Sequence, residues 1–320
     1  MPQYSFNDIP RVEGVKVAII TGSNEGIGRI TTRELVRKGW HVIMACRNEE
    51  KAQAAIQAIR AQIGVVDNDN LKLDFIQLDL ASYESVRNFV DQFHQRHLPL
   101  HLLINNGGVM MPPFGLTKDG EELQFGTNHL GHFLLANLLL DDLKQNVPSR
   151  IVVLSSRAHL RHPGIEFVDE RRNQPYPDTG IVTYRARAAT YGQSKLANMM
   201  FCKELAERLG SESKVYCNGI HPGVIKTELF RHLHPGITTR IMSPFMRTVE
   251  NGSMTTLYVA THPDIETQNI HGAYFVPSKH IPAPYIRPAE VAPNPVVLDK
   301  NARERLWELS KRLTGLTNTI

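Results

Sequence analysis

The sequence predicts an α/β protein, a single domain over residues 1–320 built on a doubly wound parallel sheet. Three observations predict it. Short β-branched runs alternate with longer stretches of helical periodicity through the first two thirds of the chain, the order expected of parallel strands joined by crossover helices. The first run, Val15 to Thr21, is almost continuously apolar, as a strand covered on both faces requires. No linker separates two apolar cores, and neither a repeat of fixed period nor a low-complexity segment occurs.

The elements follow in order. After the first strand, a helix is expected from Gly26 to Gly39, a strand over His41 to Cys46 and an Ala-rich helix over Glu49 to Ala61. Leu73 to Leu78, Leu100 to Asn105 and Arg150 to Ser155 read as further strands, with helices over Ser82 to Arg96 and Glu121 to Lys144 between them. A helix from Tyr191 to Leu209 then leads to a strand at Lys214 to Ile220. Glu250 to Ala260 reads as helix and Gly272 to Val276 as a short strand. Ile281 to Val297 holds five prolines and reads as irregular surface chain. An amphipathic helix at residues 298–316, with Leu306, Leu309 and Leu313 at helical spacing, closes the sequence.

Composition excludes several classes. Apolar residues make up 42% and charged residues 21%, enough for a packed core and too apolar for a disordered chain. The 36 basic and 32 acidic side chains leave a charge of +4, which does not single out nucleic acid as a partner. The longest apolar stretch, Phe133 to Leu140, is interrupted by Asn137 and falls short of the ~18 residues of a membrane span. The opening Met1-Pro2-Gln3-Tyr4-Ser5 has no signal-peptide pattern. Cys46, Cys202 and Cys217 form neither a CxxC pair nor an even framework, which fits free thiols in a reducing, cytoplasmic setting.

Thr21-Gly22-Ser23-Asn24-Glu25-Gly26-Ile27-Gly28 lies directly after the first strand and opens the first helix. Glycine lets backbone approach a pyrophosphate closely, and unpaired N–H groups at a helix start attract the anion. The turn therefore predicts a dinucleotide site. Its Gly-x-x-x-Gly-x-Gly spacing is followed by Asp79 in Leu78-Asp79-Leu80, by Asn105-Asn106-Gly107-Gly108, and by Asn128 in Thr127-Asn128-His129-Leu130-Gly131. Ser156, Tyr191, Lys195 and His221-Pro222-Gly223 with Thr227 complete an ordered series. From Val15 to about Gly223 the chain resembles the short-chain dehydrogenase/reductase family, which implies a Rossmann-type fold. Glu250-Asn251-Gly252, the strand His271-Gly272-Ala273-Tyr274-Phe275 and the closing Arg305-Leu306-Trp307-Glu308-Leu309-Ser310 resemble its retinol-dehydrogenase-like branch.

Tyr191 and Lys195 are four apart on a predicted helix, so their side chains share one face. A lysine cation favours the phenolate and is expected to lower a tyrosine that otherwise titrates near ~10. The resemblance implies that Tyr191 gives a proton to a carbonyl oxygen in reduction or takes it from an alcohol in oxidation. It further implies that Ser156 holds that oxygen, that Lys195 also binds the nicotinamide ribose, and that Asn128 positions a water beside Lys195. The cofactor contacts it implies are Gly22, Ser23, Asn24, Gly26, Ile27, Gly28, Arg47, Asn48, Asp79, Leu80, Asn105, Gly107, Tyr191, Lys195, Pro222, Gly223, Val224 and Thr227.

Other chemistries match less well. Gly192-Gln193-Ser194-Lys195-Leu196 lacks the final glycine of a hydrolase elbow. The pairs His129/His132, His94/His97 and His159/His162 belong to no metal-binding pattern and read as surface histidines; no metal is expected.

A carboxylate at the end of the second strand marks NAD enzymes, whereas this chain has Cys46 followed by Arg47. A guanidinium there would bind a 2′-phosphate, so NADP(H) is the expected cofactor, with Glu25 as a feature against it. Gly107 replaces the family's alanine, which should free the turn beneath the cofactor. Tyr191 lies 35 residues after Ser156, a longer gap than the resemblance implies. The insertion, residues 157–190, carries six arginines, four acids and three prolines; a cover for the substrate pocket and a tolerated surface loop are both open readings.

Residues 229–246 follow the position of the family's substrate lid. Leu229, Phe230, Ile237, Ile241, Met242, Phe245 and Met246, with Arg231 and Arg240 among them, suggest a bulky, largely apolar carbonyl or alcohol. The leading reading is an NADP(H)-dependent carbonyl reductase or alcohol dehydrogenase acting on a small molecule. Its rivals are a non-catalytic dinucleotide sensor or scaffold, and an NADPH-dependent reductase of an activated C=C bond. The resemblance also implies a homodimer paired through the helix that bears Tyr191.

Overall fold

The computed structural model describes residues 4–64, 71–176, 180–225, 246–277 and 289–317. Its first strand, β1 (Val17–Thr21), is buried at every residue. Val17 and Ile19 enter one apolar layer, and Ala18 and Ile20 the other. A continuous apolar run is therefore what the position demands, because both faces of the strand are covered.

β1 leads through the glycine turn to α1 (Gly26–Arg37), and β2 (His41–Cys46), α2 (Glu49–Ile63), β3 (Leu73–Gln77), α3 (Tyr83–His94) and β4 (Leu102–Asn105) follow. The chain then forms one turn of helix, α4 (Leu123–Phe125), a π-helical stretch over Gly126–Leu130, α5 (Gly131–Leu138) and α6 (Leu140–Gln145). β5 (Ser149–Leu154), the short α7 (Asp169–Arg172), α8 (Gly180–Leu209) and β6 (Val215–Ile220) come next. The rest is α9 (Val249–Thr261), α10 (Asp264–Thr267), β7 (Tyr274–Val276), β8 (Ala289–Glu290) and α11 (Lys300–Thr314).

The sheet order is β3-β2-β1-β4-β5-β6-β7-β8, parallel from β3 to β7, with β8 antiparallel at the edge. This is the Rossmann-type sheet that the sequence predicts. The chain reverses its direction of travel between β1 and β4, and the crevice at the carboxyl ends of those strands is where such sheets bind ligands. Leu35 and Val36 of α1, Ile56 and Ile59 of α2 and Leu257 of α9 cover one face. Phe89 and Phe93 of α3, Phe133 of α5, Phe201 of α8 and Trp307 of α11 cover the other.

Four expectations need correction. The helix expected over Glu121 to Lys144 starts at Leu123, includes a π-helical stretch and is interrupted at Leu139 before α6. α8 begins at Gly180, not near Tyr191; its first part carries exposed Val182 and Tyr184, so no apolar stripe marks it in the sequence. Within Ile281 to Val297, Ala289–Glu290 pairs with β7 and Pro295–Leu298 forms a 3-10 turn. His129, His132 and His159 are buried, not on the surface, because each ring finds partners inside: Ser310, Thr21 with Asn128, and Ser156 with Asn294. His94 and His97 are exposed, as expected.

Candidate active site

A solvent-open cleft lies at the carboxyl ends of β1, β4 and β5. Gly22, Asn24, Gly26, Ile27, Gly28, Gly107, Tyr191, Lys195 and Pro222, all expected from the sequence, line it. Glu25, Asn106, Gly108, Val109, Met110, Leu154 and Ser155 line it as well. Thr227 and the lid residues Leu229, Phe230, Arg231, Ile237, Arg240, Ile241, Met242 and Phe245 lie outside the described residues.

The turn between β1 and α1 is built for close approach. Gly22 and Gly26 have φ of +62° and +55°, values that favour glycine. A Cβ on Gly28 would lie 2.5 Å from Gly22 O and 2.6 Å from Asn106 Nδ2, so the third glycine packs the helix onto the loop after β4. Glu25, at the start of α1, makes no side-chain capping bond. The first N–H groups of the helix therefore stay available to an anion. A nucleotide diphosphate fits this turn.

Thr21 joins the turn to the next strand. Its Oγ1 accepts hydrogen bonds from Asn106 N (2.9 Å) and Gly107 N (2.8 Å) and lies 2.8 Å from His132 Nε2. Burial pushes His132 down to about 3, so its ring is neutral. Its Nδ1 lies 3.0 Å from Asn128 O, an atom that can only accept, so the proton sits on Nδ1 and Nε2 accepts from Thr21. Gly107 is thus pinned, and the freedom expected of the missing methyl is taken up by Thr21. The sequence places Thr21 in the glycine turn and reads His132 as a surface histidine; their contact is not legible there, because it joins residues 111 apart.

At the end of β2, Cys46 is buried with Sγ 3.3 Å from Ser23 Oγ, and burial raises its thiol pKa. Arg47 is exposed, and its carbonyl accepts from Gln77 Nε2 at 3.1 Å. Asn48 uses Oδ1 to cap α2 through Lys51 N at 2.8 Å. Asp79 Oδ1 accepts from Ala81 N at 3.0 Å, while Leu80 is buried. Asn105 is buried with neither side-chain polar atom partnered among the described residues. Gly223, with φ of +99°, and Val224 follow β6 beyond Pro222.

The structure brings the predicted group of four together. Tyr191 and Lys195 are 8% and 5% exposed. Lys195 Nζ donates to Leu154 O at 3.0 Å and lies 5.9 Å from the Tyr191 ring centroid. Ser156 starts the turn after β5, its Oγ accepting from Ala158 N at 3.2 Å, and lies close enough to Tyr191 to favour the phenolate. Asn128 donates from Nδ2 to Val109 O and Ser194 Oγ, both at 2.9 Å, and its Oδ1 accepts from Val109 N at 2.8 Å. One expectation is reversed here. Burial raises Tyr191 to about 12, with Ser156 pulling the other way, and burial lowers Lys195 to about 8. The phenol is held protonated, because desolvation outweighs the opposing influence of Ser156.

Fold and cleft define an α/β dinucleotide-binding protein, and comparison with known proteins narrows the class. Residues 16–166 match the short chain dehydrogenase family. Mouse (Mus musculus) retinol dehydrogenase 14 is 38% identical over 94% of this chain and 86% of its own length. The chloroplastic short-chain dehydrogenase TIC 32 A of Brassica napus is 39% identical over 92% of this chain and 88% of its own. A crystal structure of a protein from Mycobacterium paratuberculosis superposes with a TM-score of 0.72 at 33% identity, covering 98% of both chains. The chain belongs to the short-chain dehydrogenase family, in its retinol-dehydrogenase-like branch, and is an oxidoreductase of that family. Among the described residues, no helix is long and apolar enough to cross a membrane, and no cluster could hold a metal.

Proposed function

We propose that the protein is an NADP(H)-dependent oxidoreductase that interconverts a bulky apolar ketone or aldehyde with its alcohol, using Tyr191 as the proton donor and acceptor. The carrying observation is that buried Tyr191 and Lys195, with Ser156 close to the phenol, open onto the same cleft as the uncapped start of α1. A bound nicotinamide would supply or accept the hydride. Gly22, Gly26, Ile27 and Gly28 would hold its diphosphate and Lys195 the adjoining ribose.

In reduction, the Tyr191 hydroxyl gives its proton to the carbonyl oxygen while Ser156 donates a hydrogen bond to the same atom. Tyr191 suits the donor role because burial keeps it protonated to about pH 12. Lys195, lowered to about 8, can return a proton to the phenolate at physiological pH, and Asn128 holds the loop beside it. Lys195 loses its charge as pH rises through about 8, so the reduction rate should fall above that pH; a kcat–pH profile checks this.

Arg47 supports NADP(H): an exposed guanidinium stands after a buried, protonated thiol, where NAD enzymes have a carboxylate. Met110 and Met111, packed on Tyr191, support an apolar substrate. Three free thiols, two of them with sulfurs 3.7 Å apart, support a reducing, cytoplasmic setting. Titration with NADPH and with NADH, followed by nicotinamide fluorescence, tests the cofactor assignment. Tighter NADPH binding is expected, and binding of neither would overturn the enzyme reading in favour of a scaffold.

A further inference from the structure

The loop after β4 is held at alternate points by side chains remote in sequence. Asn106 N and Gly107 N donate to Thr21, Val109 N donates to Asn128 Oδ1, and Met111 N donates to Gln124 Oε1 at 2.7 Å. The first anchors serve the cofactor turn and Asn128. The last holds something else. Met110 and Met111 pack on Tyr191, with Ala158 and Ala188 beside them, and so form an apolar wall next to the phenol. Met111 has φ of +53°, a left-handed conformation uncommon for a residue of this kind. Its hydrogen bond to Gln124 is what can hold it there.

Gln124 is itself fully engaged. It is buried, and its Nε2 donates to Arg187 O at 3.1 Å and to Tyr176 Oη at 3.2 Å. Those donations turn Oε1 toward Met111. Tyr176 in turn donates to Glu122 Oε1 at 2.5 Å, and its ring meets Phe114 edge-on at 5.3 Å. Tyr176 and Arg187 both belong to the 157–190 insertion. The insertion is tied down by buried Arg172, which pairs with Glu121 and Asp169 at 2.8 Å each, and by Arg312 on Asp169 at 2.9 Å.

We infer that Gln124 is a positioning residue which sets the Met110–Met111 wall against Tyr191, and that the insertion determines through Tyr176 and Arg187 the size of carbonyl the site accepts. The insertion is then a brace for the substrate wall. The inference rests on Tyr191 being the acid that meets the substrate.

The test compares NADPH-dependent reduction of decanal and propanal by the full chain and its variants, with NADPH affinity and hydrogen exchange at the Met111 amide measured alongside. Gln124→Ala should lower the decanal-to-propanal ratio of kcat/KM about tenfold, mainly through KM for decanal, the scale of a few lost apolar contacts. It should also speed exchange at Met111 and leave the NADPH Kd within about twofold. Tyr176→Phe keeps the ring against Phe114 and should shift the ratio in the same direction, by about threefold. Placed in a Met111→Gly background, Gln124→Ala should change the ratio less than about twofold, because the strained residue it holds is gone. Equal loss on both aldehydes, additive effects in the two backgrounds, or no change with Tyr176→Phe would overturn the inference. A wild-type chain that binds NADPH but reduces neither aldehyde would instead overturn the Tyr191 reading and take the inference with it.

Discussion

Helices α1 and α11 begin in opposite ways. Asp299 caps α11 by accepting Ala302 N at 3.1 Å, much as Ser82 caps α3 and Thr248 caps α9. α1 begins at Glu25 with no side-chain cap. Buried cations show the same contrast. Arg303 and Arg150 are paired with carboxylates, Glu204 at 3.1 Å and Glu266 at 2.7 Å. Lys195 is as deeply buried, yet its one hydrogen bond among the described residues goes to a carbonyl, Leu154 O. In these two comparisons the donors and charges away from the cleft are satisfied within the protein, whereas at the cleft they are left for something else to satisfy. Such groups cost stability, and that cost distinguishes a binding site from a packed interior.

The sharpest way to break the comparison is Lys195→Met. Leu154 O keeps a donor in Asn198 Nδ2 at 3.0 Å, so no orphan is left. We expect carbonyl reduction to fall ~10²- to 10⁴-fold while thermal stability at pH 7 rises by ~1–2 kcal/mol. The pH dependence carries a sign. With Lys195 at about 8 in the folded protein against 10.5 for the free group, the unfolded chain binds more protons between those values. Wild-type stability should therefore rise with pH through that window, and the Met variant should lose that rise. Denaturant melts at pH 7 and 9 measure both.

Gly28→Ala comes next, since its Cβ would press on Gly22 O and Asn106 Nδ2. NADPH affinity should fall ~100-fold or more; unchanged affinity in a folded variant would show that the open start of α1 is not the binding element. Arg47→Ala should weaken NADPH by ~10- to 150-fold and NADH hardly at all, as paired fluorescence titrations would report. Glu25→Gln removes an anion beside the diphosphate turn and should tighten NADPH by a few-fold, a change that fades in high salt. At the closed end, Asp299→Ala should cost ~1 kcal/mol of stability by losing the α11 cap and leave the NADPH Kd unchanged.

Local chemistry made much of the cleft legible in advance. The Thr21–Gly28 turn announces itself because left-handed glycines and an open helix start are properties of adjacent residues. Tyr191 and Lys195 announce themselves because one helical turn separates them. The first part of α8 was hidden, because exposed Val182 and Tyr184 carry no core-facing rhythm. His132 and Gln124 were hidden for a different reason. Their partners, Thr21 and Tyr176, lie 111 and 52 residues away, and no spacing rule reaches that far.

By itself, then, the sequence determined the parallel strands and the glycine turn, written in contiguous patterns that backbone geometry reads directly, and its resemblance to the family implied the Asn128, Ser156, Tyr191 and Lys195 series. Tertiary structure decided the protonation of those groups. Burial, which depends on every element packed around the cleft, moved Tyr191 up to about 12 and Lys195 down to about 8. It also decided what the insertion does, since only packing brings Tyr176 and Arg187 onto Gln124 and, through it, Met111 onto the phenol.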